Sequence, residues 1–218
     1  MSDIENRCRL VLIAPEVSDP ALRTQIVGDA LKGGDVASVI IPQHGLSDDE
    51  FQRHAEMLVP IIQAAGAAAI IAGDSRVAGR AKADGLHVEG MPEDVADAVS
   101  KHTPRMIVGA GKIAERHRAL EIGDTGPDYV FFGKLDGDIK PEAHPKNLAL
   151  GEWWAAMVEI PCIVMGGTDP ASALAVAETG AEFAALGKAV FAEPGQAAMV
   201  VAQVNAMLDE KAPRFQAS

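Results

Sequence analysis

Pro161-Cys162-Ile163-Val164-Met165-Gly166-Gly167-Thr168-Asp169-Pro170 is a short apolar run that ends in two glycines. Further on, Glu182-Phe183-Ala184-Ala185-Leu186-Gly187-Lys188 repeats the arrangement with one glycine and a lysine. Each run has the length of a buried strand, and each leads into a helical stretch. Glycine lets the backbone come close to a ligand, and a helix N-terminus offers unpaired N–H groups and a positive partial charge. Two such bends side by side would cradle an anion, with Lys188 as a mobile cation beside Gly166, Gly167 and Gly187. Two ordinary strand-to-helix turns would read the same way. The number of strands ahead of them decides, because the loops after strands seven and eight of an eightfold barrel are a standard phosphate site.

Counting back from these runs, apolar strands are expected over residues 9–14, 36–41, 67–72, 84–88, 105–108 and 128–132. Helical spacing fills the gaps, at 20–32, 73–82, 92–100, 109–122 and 147–159, with 195–208 closing the chain. A further helix is capped by Ser47, with Glu50 at its third position, and ends at Gly66. Continuous apolar strands mark a parallel sheet buried on both faces. Eight alternations in 218 residues predict an α/β protein with one domain, a (βα)8 TIM barrel over 1–218, with 1–8 and 210–218 as flexible tails. The rival, a doubly wound open sheet, rarely needs eight regular units.

Hydrophobic residues make up 48% of the chain but aromatics only 4%, so the interior should be built of small and branched aliphatics. A formal net charge of −12 argues against nucleic acid, whose phosphates are held by clustered Lys and Arg. No apolar run approaches the roughly twenty residues of a membrane span, and the N-terminus lacks the apolar segment of a secretory signal. A cytoplasmic protein with no membrane partner is therefore expected. Cys8 and Cys162 have no metal or redox spacing and read as buried thiols.

In a barrel the chemistry gathers at the carboxyl ends of the strands. There the sequence offers Asp74 and Arg76, then His87, Glu89, Glu93 and Asp94, then Gly111 and Lys112, then Lys134, Asp136, Asp138 and Lys140. Lysines and carboxylates converging on one mouth suit a phosphate or diphosphate bound with a hard metal such as Mg2+. Plainer readings stand beside each. Asp74 could be a helix N-cap, His87 an interior histidine, Asp136-Gly137-Asp138 a turn, and Lys140 a solvated cation. Trp153-Trp154 reads as the packing face of the sixth helix.

Taken together, these residues resemble the thiamine-phosphate synthase family, which includes a thiazole tautomerase branch. Ala83-Asp84-Gly85-Leu86-His87 is similar to its strand-four signature, and Gly126 through Gly133 to its strand-six signature. Ile160 through Gly167 resembles its strand-seven phosphate loop, and Gly180 through Phe191 its eighth strand. The resemblance implies a transferase that joins hydroxymethylpyrimidine diphosphate to a thiazole phosphate and releases pyrophosphate. It implies Mg2+, with Asp74 as the metal candidate and Lys140 as the pyrophosphate clamp. Gly166, Gly167, Gly187 and Lys188 become the thiazole-phosphate cradle. Its partners are phosphorylated small molecules, and a homodimer is left open as the assembly.

The chain departs from the family in ways that bear on the site. The second strand, Ser38-Val39-Ile40-Ile41-Pro42-Gln43, stands where the family carries a glutamine, an arginine and a lysine. Val39 and Ile41 turned into the mouth would leave no usual pyrimidine-diphosphate site. Asp138 and Ile139 replace a threonine pair, and an anion there repels pyrophosphate. Gly111-Lys112 stands where a serine is usual, so Arg76, Lys112 and Lys134 are the cations that could compensate. A non-catalytic or regulatory barrel that binds a phosphorylated small molecule, or an isomerase of the tautomerase branch, are the alternatives.

Overall fold

Eight parallel strands close on themselves in sequence order, so each strand lies between its chain neighbours and β8 returns to β1. The computed structural model describes residues 6–215. The first half contains β1 (Arg9–Ile13), α1 (Pro20–Leu31), β2 (Ser38–Pro42), α2 (Asp48–Ala64), β3 (Ala68–Ala72), α3 (Ser75–Ala81), β4 (Gly85–Val88) and α4 (Pro92–His102). The second half contains β5 (Ile107–Ile113), α5 (Arg116–Gly123), β6 (Tyr129–Phe132), α6 (Pro145–Met157), β7 (Cys162–Met165), α7 (Ser172–Ala177), β8 (Phe183–Leu186), α8 (Lys188–Phe191) and α9 (Ala197–Lys211). The (βα)8 barrel expected from the alternation is the observed fold.

Strand residues alternate between two cores because side chains alternate across a strand. Val11, Ile13, Ile40, Ile70, Phe131, Ile163 and Met165 fill the barrel interior. Leu10, Leu12, Val39, Ile41, Ile71, Val130 and Val164 face the helices.

Three acids tie the amino-terminal rim together. The carboxylates of Asp84, Asp128 and Glu182 accept from the backbone N–H of Ala69 (2.8 Å), Val108 (2.7 Å) and Cys162 (2.8 Å). Each acid precedes an even-numbered strand and closes the start of the strand before it. The Ala-Asp-Gly and Pro-Asp-Tyr signatures thus have a structural use at the end of the barrel away from the mouth. A charge-assisted bond of this kind contributes about 2 kcal/mol. Glu182→Ala should therefore lower the melting temperature by about 4–8 °C, as scanning calorimetry would register.

Two expectations about the chain need correction. Gly109-Ala110-Gly111 was expected to open the fifth helix, but it continues β5, pairing with β4 and β6. The reason is the ring of Tyr129, which lies where a Gly109 side chain would be: a Cβ there would sit 1.9 Å from Tyr129 Cζ. Glycine is kept to admit that ring, and the strand runs on to a register shift between Ala110 and Ile113, with Lys112 at a φ of 59°.

The tails are also shorter than expected. Arg7 is buried, its Nε bonded to Asp209 at 2.7 Å, and it forms a bridge with Arg214. Helix α9 runs to Lys211, and Phe215 N–H donates to Asn6 at 3.0 Å. Residues 1–5 and 216–218 lie outside the described residues.

Candidate functional site

A cavity of about 840 Å3 opens over the carboxyl ends of β2 to β6 and continues beside α4. Its wall takes Pro42, Gln43 and His44 from the end of β2, Gly73 and Ser75 from that of β3, and His87 and Glu89 from β4 and the turn beyond it. Lys112, Lys134 and Asp136 complete the far side. Val39 and Ile41 face the helices, while Ile40 fills the interior and Pro42 lines the cavity. The second strand neither blocks the mouth with those two side chains nor lends it a cation.

At the base of this cavity His87 is only 2% exposed. Its Nδ1 lies 2.9 Å from the Tyr129 hydroxyl, and its Nε2 has no partner among the described residues. Gly111 makes the ring's position workable, since a Cβ there would come within 2.4 Å of Nε2. Burial pushes the imidazole down to a pKa of about 4, so it is neutral near pH 7. The unfolded chain would protonate this group near 6.5, so the unfolded state binds more protons between about 4 and 6.5. Stability must then fall as pH drops through that window and be fully present above it. A His87→Gln variant should show a flatter acid side of its melting-temperature profile from pH 6.5 to 4.

Beside His87 the wall is charged. Burial raises the Glu89 carboxyl above its ordinary value, an effect opposed by Lys112 and Lys134 and reinforced by Asp136. The end of β5 and the turns after β4 and β6 thus bring two lysines and two carboxylates together. Lys112 and Lys134, expected from the sequence as compensating cations, meet here. Arg76 does not join them. Its guanidinium binds Asp74 at 2.5 Å, and Asp74 also accepts from the Arg76 N–H at 2.8 Å.

Asp74 therefore caps α3, and neither it nor Arg76 lines the cavity, although Gly73 and Ser75 do. The N-cap geometry folds the carboxylate back onto its own helix. His44 and Arg23 were not singled out from the sequence. His44 Nε2 sits 3.2 Å from the Ala14 carbonyl, and buried Arg23 donates to the Pro42 carbonyl at 3.1 Å. Position after a strand could have flagged His44. Nothing local marks Arg23, because it reaches Pro42 from another element.

The two glycine bends lie together on the same rim, as β7 and β8 pair directly. Five of their N–H donors are engaged within the chain. Gly166 N–H donates to the Ala185 carbonyl (2.9 Å) and Gly167 N–H to Ser172 Oγ (2.9 Å). Thr168 and Asp169 donate to the carbonyls of Lys140 (2.8 Å) and Pro141 (3.1 Å). The Lys188 N–H donates to the Asp138 carboxylate. The β6–α6 loop thus lies on the cradle. Lys140 is exposed on that loop and does not line the cavity.

Residues 10–190 match the family model described as thiamine monophosphate synthase. The chain belongs to the thiamine monophosphate synthase family. A thiamine-phosphate synthase from Rhodospirillum centenum is 33% identical over 92% of this chain and 98% of that protein. Another from Erythrobacter litoralis is 34% identical over 71% of this chain and 74% of that protein. The same barrel occurs in the thiamine phosphate pyrophosphorylase of Pyrococcus furiosus, with a TM-score of 0.79 and 21% identity. That alignment covers 94% of this chain and 98% of that structure. In this member of the family the cavity's lysines stand on the β5 and β6 ends (Lys112, Lys134) and on α4 (Lys101), with none on β2. Among the described residues no helix is long and apolar enough to cross a membrane.

Proposed function

We propose that this thiamine monophosphate synthase joins hydroxymethylpyrimidine diphosphate to thiazole phosphate in the 840 Å3 cavity over the barrel mouth. The observation that carries the reading is the pairing of a buried, neutral His87–Tyr129 base with a wall bearing Lys112 and Lys134. A flat heteroaromatic ring suits the apolar base, beneath which His87 Nε2 lies buried with no partner among the described residues. A diphosphate suits the lysines.

In the reaction the carbon–oxygen bond to the diphosphate breaks, and both electrons leave with pyrophosphate. The thiazole nitrogen then uses its lone pair to form the new carbon–nitrogen bond. No side chain needs to become covalently attached. The protein's contribution is to position two rings and stabilise charge on the departing group. Lys112 and Lys134 face that charge, and Lys140 stands at the rim as the third cation.

Magnesium belongs to the proposal. A hard cation brought in by a diphosphate needs only one or two protein carboxylates. Asp74 does not fit, since Arg76 holds its carboxylate. Glu89 fits better, because it lines the cavity and partial desolvation raises its carboxyl despite Lys112 and Lys134. A bound magnesium ion would withdraw charge from the diphosphate oxygens.

The test is direct. Purified protein given both organic substrates and magnesium should form thiamine phosphate and pyrophosphate in equal amounts. Absence of both products at millimolar substrate would refute the proposal. Lys140→Ala should slow turnover at least tenfold without changing the melting temperature. Unchanged turnover in that variant would remove Lys140 from the reaction.

A further inference from the structure

We propose that the β6–α6 loop is a latch, with the Asp138 carboxylate held in the place of the substrate's phosphomonoester, so that phosphate enters only as Asp138 leaves. The inference rests on the reading of the β7 and β8 bends as the phosphate end of the site.

Asp138 is a charged side chain only 2% exposed. It lies 50 residues from its partner in sequence, yet every polar contact it makes is with the β8–α8 bend. Its Oδ2 accepts from the Lys188 N–H. Its Oδ1 lies 3.6 Å from Lys188 Nζ, which also donates to the Asp138 carbonyl at 3.3 Å. Gly187 leaves room for it, because a Cβ there would stand 2.9 Å from Oδ2.

Helix caps are ordinarily local, supplied by the residue that starts the helix. Here that residue is Gly187, which has no side chain, and an acid from a different loop takes the position. The backbone behind Asp138 holds the loop down. Thr168 and Asp169 donate to Lys140 and Pro141 carbonyls, and Gly167 has no side chain where the Pro141 carbonyl passes: a Cβ would sit 2.0 Å from that oxygen. Two carbonyls and one carboxylate therefore occupy donors on both bends.

The latched state has a cost. Ile139, next to Asp138, is 78% exposed, an apolar side chain kept in water on a segment that is otherwise pinned. A phosphomonoester also brings more charge than a carboxylate, between one and a half and two units, roughly, with three acceptor oxygens. It can displace Asp138 by satisfying the Lys188 amide and ammonium together. The acid thus lowers phosphate affinity and couples binding to opening of the loop.

Titration of inorganic phosphate into the whole protein by calorimetry tests this. Asp138→Ala should bind phosphate at least tenfold more tightly than the unaltered chain, with Asp138→Asn between them. Equal or weaker binding in both variants would overturn the latch, and so would the absence of phosphate binding in all three proteins. Should the variants fail to fold, amide hydrogen exchange on the unaltered protein decides instead. Saturating phosphate should speed exchange at Thr168 and Asp169 as the loop carbonyls leave. Unchanged exchange there at saturation would overturn the proposal. Turnover of the organic substrates is scored separately. Tighter phosphate binding without turnover would keep the latch and refute the synthase reading, whereas turnover with equal affinities would do the reverse.

Discussion

Replacing Lys112 and Lys134 together by alanine is expected to lower kcat/KM for the diphosphate substrate by about 10³-fold or more, while the protein stays folded. The expectation follows from where positive charge sits. The second strand presents Ile40 inward and Pro42 at the cavity, so it offers no cation. Arg76 is spent on Asp74, and Lys188 faces Asp138. Lys112 and Lys134 are the lysines that meet Glu89 on the mouth side of the cavity wall.

Removing one preorganised donor to developing charge costs about 10²–10³ in rate. Two neighbours acting on one group should fall short of strict additivity. Both side chains are exposed, and surface substitutions usually stay within about 0.5 kcal/mol in stability. Steady-state kinetics on single and double variants would measure the effect. A double variant within tenfold of the parent would mean that the departing diphosphate is stabilised elsewhere.

Gly109→Ala should be among the most damaging substitutions in the barrel, costing about 3 kcal/mol. A methyl group would stand 1.9 Å from Tyr129 Cζ and 2.2 Å from its Cε1. The ring cannot simply swing away, since its hydroxyl meets buried His87 and its strand is paired on both sides. For a chain of this size that cost corresponds to a fall of about 6–12 °C in melting temperature. Turnover should fall as well, because the base of the cavity moves with the ring. The double variant Gly109→Ala, Tyr129→Ala should recover part of the lost stability. A double variant no more stable than Gly109→Ala alone would show that the ring is not the obstacle.

Much of the site was legible because it depends on position along the chain. In a parallel barrel every strand presents its carboxyl end to the same mouth. Reading the residue after each strand was enough to find His87, Glu89, Lys112, Lys134 and the glycine bends. Asp74 shows the limit of that method. Its place after β3 suited a ligand, but three bonds from its own helix, one from the Arg76 N–H and two from the guanidinium, claim the carboxylate. The fifth strand shows another. Three small residues in a row look like the opening of a helix until the Tyr129 ring, eighteen to twenty residues later in the chain, requires that space.

The sequence by itself determined the eightfold alternation, the aliphatic interior and the order in which loops reach the mouth. Those properties follow from periodicity and from short connections, which are local. Only the tertiary structure decided which charges meet. Asp138 lies far from Lys188 along the chain, and closure of the barrel brings its loop onto the β8–α8 bend. A carboxylate and an amide pair when they are desolvated together, and that depends on how loops cross. No pattern along the chain records that crossing.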